Sequence, residues 1–212
     1  MILPKKDKQG NQYLSYSQIS SFLKNRRDYI RQYFLKEKFE GNGYTEFGKR
    51  IGEALEKNDF STFSDKEQEL LRSIPRHDVF EREVRLIRKD FYVIGYIDTN
   101  TSKDGKIEKI IDYKTGDMNK EDVYISEEYS QLYIYAAALE QELGVLPKKA
   151  SVILIERKGN LFKREKLVLG DKFLSIDKKI TKKKIKEVVK MVDDTAKEIS
   201  DHYEVFLKLN II

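Results

Sequence analysis

The spacing of hydrophobic residues changes along this 212-residue chain, and the change limits the fold more than any other feature. Helical spacing alternates with the two-residue period of β-strands. Helices are predicted at 14–35, 46–59, 65–73, 126–143 and 181–207. Strands are predicted at 79–87, 91–98, 106–114, 150–156 and 161–169, whereas 172–180 fits neither pattern. This order predicts one mixed α/β domain over 1–212, with a central mixed β-sheet flanked by helices and an edge or flexible segment at 1–13.

Capping patterns support the start of the first and last helices. Ser15 and Gln18 have the spacing of a capping box, in which each side chain accepts a hydrogen bond from the other residue's backbone. Thr181 precedes the last helix as its cap. Within the middle of the chain, the dipeptide Asp104-Gly105 predicts a tight turn, so the three strands from 79 to 114 are expected to form an antiparallel meander.

The chain has no cysteine and only two histidines, His77 and His202. The missing cysteines exclude disulfides, thiolate zinc sites and an iron–sulfur cluster. The two histidines lie far apart and have no ligand-like spacing. Any bound metal would therefore be held by oxygen atoms, which favours Mg²⁺, Mn²⁺ or Ca²⁺.

The charge permits nucleic-acid binding without requiring it, because 41 basic residues exceed 36 acidic ones by only five. Lys24, Arg26, Arg27 and Arg31 lie on one face of the first predicted helix, which is either a solvated surface or a surface that faces phosphates. No apolar run reaches the roughly 18 residues of a membrane helix. Residues 1–10 lack the apolar stretch of a signal peptide, so a cytoplasmic protein with no membrane contact is expected.

Asp112 and Lys114 are the first candidates for chemistry. They lie two residues apart on a predicted strand and therefore point to the same face, together with Ile110. Asp98 ends the preceding strand, and hairpin pairing would bring it close to Asp112. Two neighbouring carboxylates repel unless a cation compensates them, and the carbonyl of Tyr113 could supply a further ligand.

Such a site meets the needs of phosphodiester hydrolysis. A metal would acidify water, and Lys114 could orient that water or stabilise the developing charge. The simpler interpretation is a surface salt bridge between Asp112 and Lys114, since acid-x-Lys is common on strands. The preceding Gly-x-x-Asp at 95–98 and the intervening Asp-Gly turn favour the catalytic interpretation.

These residues resemble a known family. The chain is similar to the PD-(D/E)XK nuclease superfamily, and within it to the RecB-like and phage exonuclease branches. Four landmarks appear in order over about residues 14–157: Leu14-Ser15-Tyr16-Ser17, Phe47-Gly48 to Glu56, Gly95 to Asp98 with Asp112-Tyr113-Lys114-Thr115-Gly116, and Gln131 with Tyr135. The resemblance implies a restriction-endonuclease-like core in which Asp98 and Asp112 bind Mg²⁺ or Mn²⁺ and Lys114 is catalytic.

The resemblance also implies roles for two helices. Gln131 and Tyr135 would position nucleic acid or the catalytic residues, although a half-buried tyrosine and a solvated glutamine are the simpler interpretation. RecB-like members usually carry a histidine on the early helix, and the matching residue here is Gly52, which cannot bind metal. Glu53 is therefore the candidate metal ligand, with Glu56 in reserve, and either one could instead be a solvated helix residue.

The leading hypothesis is a metal-dependent DNA nuclease, specifically an exonuclease in recombination, repair or phage replication. Its partner would be single- or double-stranded DNA, with a homo-oligomer or a recombination partner protein left open. The first alternative is an inactive nuclease-fold module that binds nucleic acid or protein, which the loss of a ligand at Gly52 supports. The second is a structural protein in which the acidic pair has no function.

Overall fold

The computed structural model describes residues 1–38, 41–77, 79–104 and 106–212. In that part of the chain, six strands form one mixed sheet with helices on both faces. The helices are α1 Tyr16–Lys24, α2 Arg26–Tyr29, α3 Gly43–Lys57, α4 Asp65–Ser73, α5 Glu121–Ser126, α6 Ser130–Leu143 and α7 Lys182–Lys208. The strands are β1 Tyr13–Ser15, β2 Phe80–Ile87, β3 Tyr92–Lys103, β4 Lys106–Gly116, β5 Lys149–Lys158 and β6 Val168–Lys179.

The sheet runs in the order β1-β3-β4-β5-β6, and β2 also pairs with β3. Strands β2, β3 and β4 form the predicted antiparallel meander. Strand β5 then pairs with β4 in parallel, which requires the crossover that α5 and α6 provide. Strand β6 pairs with β5 in the antiparallel sense and forms an edge. The mixed sheet flanked by helices confirms the predicted fold class.

Each face of the sheet has its own apolar layer. Helices α1, α6 and α7 cover one face, and helices α3 and α4 cover the other. The alternation along β4 divides neighbouring residues between the two layers, because Ile110 packs with the first layer and Ile111 with the second. The sheet is therefore buried on both sides, and a polar side chain within it needs a polar partner or a cavity.

The prediction of one continuous helix over 14–35 is wrong. Leu14 belongs to β1 instead, which pairs in parallel with β3. Ser15 and Gln18 do form the predicted capping box at the start of α1. Asn25 then ends α1 in an extended conformation, and its side chain accepts a hydrogen bond from the backbone N–H of Asp28 to begin α2. An asparagine that bonds to nearby backbone groups competes with the helix in this way.

The predicted strand at 161–169 is also wrong. Residues Leu161–Lys163 form a single tight helical turn, because the side chain of Asn160 accepts a hydrogen bond from the N–H of Phe162 at 2.9 Å. The edge strand is β6, which includes residues 172–179 of the ambiguous 172–180 segment. The predicted helix at 126–143 is α6, which begins only at Ser130, because Tyr129 before it has a φ of 51°; Ser126 instead ends α5.

Other predictions are confirmed. Helix α4 has the predicted bounds, and α3 begins at Gly43, three residues before the predicted start. The last helix is capped by Thr181 as expected, at 3.2 Å from the N–H of Lys184. Of the predicted turn at 102–105, Gly105 lies outside the described residues. Within the described ranges, no helix has both the length and the apolar character needed to cross a membrane.

Candidate active site

Strands β3 and β4 bring Asp98 and Asp112 together where their pairing ends. The last paired residues at this end are Thr99 and Ile111, so the next step of the same register places Asp98 opposite Asp112. A carboxylate oxygen of Asp98 accepts a hydrogen bond from the backbone N–H of Tyr113 at 2.6 Å. The prediction that Asp98 ends its strand is wrong, because β3 continues to Lys103. The hairpin nevertheless places the two carboxylates side by side, as predicted.

Asp112 and Lys114 point to the same face of β4, as the alternation predicted. The ammonium of Lys114 lies 2.7 Å from one carboxylate oxygen of Asp112 and 2.9 Å from the other. The side chain of Asp112 is only 5% exposed, whereas that of Lys114 is 41% exposed. This is therefore not the surface salt bridge of the simpler interpretation, because its acidic partner is buried inside the fold.

Burial and the nearby charge of Asp112 together raise the pKa of Asp98 to about 7. The Tyr113 N–H and the Lys114 ammonium act in the opposite direction without cancelling these effects. For Lys114, burial alone would lower the pKa, but the charge and hydrogen bond of Asp112 raise it above its usual range. The amine therefore stays protonated, and two acidic groups share one cation.

Helix α6 approaches Lys114 through Gln131. The side-chain oxygen of Gln131 lies 3.5 Å from the Lys114 ammonium, and its nitrogen donates to the Tyr135 hydroxyl at 2.7 Å. Tyr135 is buried, which raises the pKa of its phenol to about 12 and keeps it protonated. The structure thus links Gln131 to the candidate catalytic lysine, rather than leaving it in solvent.

A close contact with Tyr135 explains why the Gly-x-x-Asp pattern has a glycine at position 95. A Cβ atom at this position would lie 2.1 Å from a ring carbon of Tyr135. No side chain larger than hydrogen fits there while the ring keeps its place. Gly95 therefore allows Tyr135 to lie against β3, from where its hydroxyl holds Gln131.

The candidate ligands on α3, Glu53 and Glu56, line one cavity together with Asp98 and Asp112. The ion pairs of Glu53, however, are with lysines of its own helix. Glu53 pairs with Lys49 at 3.7 Å and Lys57 at 3.9 Å, and its side chain is 47% exposed. Glu56 lines the cavity as well. Across the described ranges, three or more acidic or histidine side chains are nowhere gathered as a ready metal site. A role for either glutamate stays a prediction.

Glu81 is a residue that the sequence did not single out. It lies opposite Asp98 in the register of β2 and β3, between the paired steps Phe80–Thr99 and Arg82–Ile97. Its φ of 48° interrupts the ladder at this step. Its charge contributes to the raised pKa of Asp98, so the two carboxylates are close. Alternation alone would assign Glu81 to an exposed strand position, which is why the pattern gave no signal.

A cavity of about 490 Å³ joins these elements. Its walls come from α3, the start of β2, the middle of β3, residues 112–115 of β4, Ile155 of β5, and α6. The predicted site residues among its lining are Glu53, Glu56, Asp98, Asp112, Tyr113, Lys114 and Gln131. Gly52 also lines it, and a side chain there would meet no atom within 4 Å. The position that carries histidine in RecB-like proteins therefore faces open space in this chain.

The basic face of α1 and α2 is partly neutralised. Arg26 pairs with Glu198 at 2.7 Å, and Arg31 pairs with Glu37 at 2.7 Å. Exposed pairs of this kind contribute little to stability, but they reduce the positive charge available to phosphates. The solvated-surface interpretation therefore fits these residues better than the phosphate-facing one.

Comparison with solved structures places this fold among exonucleases. An exonuclease candidate from Eubacterium rectale superposes with a TM-score of 0.55 at 13% identity, covering 91% of this chain and 82% of its own. The alkaline exonuclease LHK-Exo from Laribacter hongkongensis gives 0.51 at 9% identity, covering 94% and 93%. Its complex with dAMP gives 0.53 at 10% identity, covering 93% of both chains. At such low identity these similarities establish the fold alone.

Sequence comparison gives the family. None of the curated protein sequences matches this chain. The profile of the PD-(D/E)XK nuclease superfamily matches residues 56–207, which is well over half of the chain and includes Asp98, Asp112 and Lys114. The match and the geometry of these three residues agree with each other, and the chain belongs to the PD-(D/E)XK nuclease superfamily.

Proposed function

We propose that this protein is a divalent-metal-dependent deoxyribonuclease that hydrolyses phosphodiester bonds. The observation that carries the proposal is the meeting of Asp98, Asp112 and Lys114 where the pairing between β3 and β4 ends, in a cavity open to a substrate. A buried carboxylate and a half-buried one beside a single ammonium are costly for folding unless they serve a ligand. Family membership supports the same chemistry.

The available ligands fit Mg²⁺ or Mn²⁺. Every candidate ligand is an oxygen atom, and proteins often hold Mg²⁺ with one or two carboxylates plus several waters. Asp98 and Asp112 would supply these carboxylates, with the Tyr113 carbonyl beside them and Glu53, Glu56 or Glu81 as further ligands. Members of this superfamily generally use divalent metal ions. When bound, such an ion would acidify a water molecule and stabilise charge on the phosphate.

The other roles that we propose in catalysis belong to residues of β4 and α6. Lys114, which stays protonated, would donate hydrogen bonds to a phosphate oxygen or to the attacking water, rather than act as a base. Gln131 would act as a positioning residue, because it contacts the ammonium of Lys114 on one side and Tyr135 on the other. This arrangement would hold the amine in place before the substrate binds.

An exonuclease that processes DNA ends in recombination, repair or phage replication is the form of this activity that we propose. The support comes from the exonuclease fold of the similar structures, one of which binds dAMP. The cytoplasmic location and the homo-oligomer or partner protein considered from the sequence stay predictions.

The proposal is tested with end-labelled linear DNA and closed circular DNA, each single- or double-stranded, with Mn²⁺, Mg²⁺ or EDTA. We expect cleavage of linear DNA that requires the metal and leaves circles intact. Cleavage of circles would replace the exonuclease by an endonuclease. If no DNA is cut with either metal, although the protein binds DNA, the inactive nuclease-fold module becomes the better description.

A stability measurement tests the metal site separately. In EDTA at pH 8, we expect Asp98→Asn to melt several degrees above the wild type, because it removes one of two neighbouring carboxylates that repel each other; the expected gain is about 1–3 kcal/mol. The folded-state pKa of Asp98 is raised from the usual 3.8 to about 7. The ionised form therefore destabilises the fold fully above pH 7, and the advantage of Asp98→Asn fades as the pH falls toward 4.

The same variant should respond less to metal. A ligand that binds only the folded state raises the melting temperature, so Mn²⁺ should stabilise the wild type and have little effect on Asp98→Asn. Exposed Asp194 on α7, which pairs with Lys190 one turn away, provides the control Asp194→Asn. Equal stabilisation of the wild type and Asp98→Asn by Mn²⁺ would refute the assignment of Asp98 as a ligand.

A further inference from the structure

Phe162 is exposed in an unusual way. Its side chain is 92% exposed, whereas the next most exposed large hydrophobic residues described, Leu209 and Val123, are 63% and 61% exposed. Single exposed hydrophobic residues are common and need no explanation by themselves. Phe162 differs because it is aromatic and because its surroundings are polar and rigid.

The turn that carries Phe162 is held by hydrogen bonds on both sides. The side chain of Asn160 accepts from the N–H of Phe162 at 2.9 Å, and the hydroxyl of Tyr44 accepts from the N–H of Leu161 at 3.0 Å. Leu161 also packs so closely on the start of α3 that a Cβ atom at Gly43 would lie 2.8 Å from it. The aromatic ring is therefore presented on a fixed backbone, which reduces the entropy cost of binding through it.

Positively charged groups lie next to this turn. A polar cavity of about 740 Å³ is lined by Phe162 and Tyr44 together with Lys120, Arg157 and Lys163. Neither Lys120 nor Lys163 forms an ion pair with any residue in the described part of the chain. The guanidinium of Arg157 lies 4.2 Å from the centre of the Tyr44 ring, and its buried Nε has no hydrogen-bond partner among the described residues.

The acidic residues at this cavity are largely engaged in local structure. Asp117 accepts the N–H of Asn119 at 3.0 Å, and Glu156 accepts the N–H of Asp171 at 2.7 Å. The remaining acid is Glu165. Lys120 and Lys163, in contrast, have ammonium groups that can donate hydrogen bonds to phosphate oxygens.

This cavity continues from the candidate active site along the same edge of the sheet. Thr115 and Ile155 line the active-site cavity, and they pair with each other across β4 and β5. The next residue of β5, Glu156, already lines the second cavity, as does Asp117 two residues beyond Thr115. On α3, Gly48 lines the first cavity and Tyr44, one turn away, lines the second. One extended ligand could therefore occupy both.

We infer that this second cavity binds a single-stranded segment of DNA beside the cleaved bond, with a base stacked on Phe162 and phosphates held by Lys163, Lys120 and Arg157. An aromatic platform beside cations matches a nucleic-acid strand, which presents flat bases and anionic phosphates in alternation. The inference deepens the proposed function and rests on it for the identity of the ligand. A protein partner would not require an aromatic ring beside two lysines that form no ion pair within the described ranges.

Fluorescence anisotropy with a labelled 20-nucleotide oligo(dT) tests the inference. The measurement is made in EDTA, so that binding is followed without any cleavage. Phe162→Ala should weaken binding by about 5- to 100-fold, as expected for the loss of one stacked base. Phe162→Tyr should restore the affinity, whereas Phe162→Leu should not, because stacking needs a ring face. Since the ring is exposed, none of these variants should change the melting temperature, and Leu209→Ala serves as the exposed hydrophobic control.

A second probe separates stacking from phosphate contacts. With an abasic oligonucleotide of equal length, the wild type and Phe162→Ala should bind equally, whereas Lys163→Ala should weaken binding to both probes and reduce its salt dependence. Unchanged oligo(dT) binding by Phe162→Ala would overturn the inference. The same conclusion would follow if this variant lost self-association rather than oligo(dT) binding. If the wild type still cleaves DNA in that case, the proposed nuclease function stands and only the inference about Phe162 fails. If oligo(dT) binds through Phe162 but no DNA is cleaved, the inference stands and the proposed nuclease function fails.

Discussion

Replacing Asp112 with asparagine is expected to lower the rate of DNA cleavage by about 10³-fold or more, while the protein stays folded. Asparagine has nearly the same shape and can still accept a hydrogen bond from Lys114, so packing at this buried position should be retained. What is lost is one of the two negative charges that would hold the metal. The measurement is the single-turnover rate on linear DNA with saturating Mn²⁺.

The control distinguishes a catalytic loss from a general one. Asp194→Asn makes the same chemical change on the exposed face of α7 and should leave the rate within about twofold of the wild type, as surface changes usually do. DNA binding in EDTA should be unchanged or stronger for Asp112→Asn, because a negative charge is removed near the phosphates. If Asp112→Asn kept more than a tenth of the activity, Asp112 would not be a metal ligand and the proposed mechanism would be abandoned.

Replacing Gly95 with alanine is expected to have the largest effect on stability. The added methyl group would lie 2.1 Å from a ring carbon of Tyr135, which is 4% exposed and has no room to retreat. Overpacking of this kind costs about 1–3 kcal/mol. In a domain of this size, that corresponds to a fall in melting temperature of roughly 3–10 °C. Because the Tyr135 ring also supports Gln131, the cleavage rate should fall by about tenfold as well.

Two further variants identify the cause. Gly52 lies within helix α3, where an added methyl group would meet no atom within 4 Å, so Gly52→Ala should stabilise the protein by about 0.5–1 kcal/mol. In the double variant with Tyr135→Leu, Gly95→Ala should lower the free energy of unfolding by less than it does alone, because the shorter leucine side chain leaves room for the added methyl group. Strictly additive effects of the two substitutions would show that the contact between Gly95 and Tyr135 is not the source of the loss.

Much of the architecture could be predicted because it depends on local patterns. The alternation of β2, β3 and β4 specifies which residues face each apolar layer, and the same alternation places Asp112 and Lys114 on one face. The capping residues Ser15 and Thr181 act on neighbouring backbone groups, so their effect was predictable too. Local signals were less reliable where a side chain competed with the regular pattern, as Asn25 does in α1 and Asn160 does after β5.

The alternating strands, the shared face of Asp112 and Lys114, and the oxygen-only set of candidate metal ligands all follow from the order of the residues. The contacts across the fold became known from the packed molecule: Glu81 opposite Asp98, Gln131 against Lys114, Gly95 next to the ring of Tyr135, and Phe162 beside the cations of a second cavity. This difference arises because periodicity specifies the direction of each side chain relative to its own strand or helix. Contacts between elements that are distant in sequence depend on how the sheet and helices pack, which no local pattern encodes.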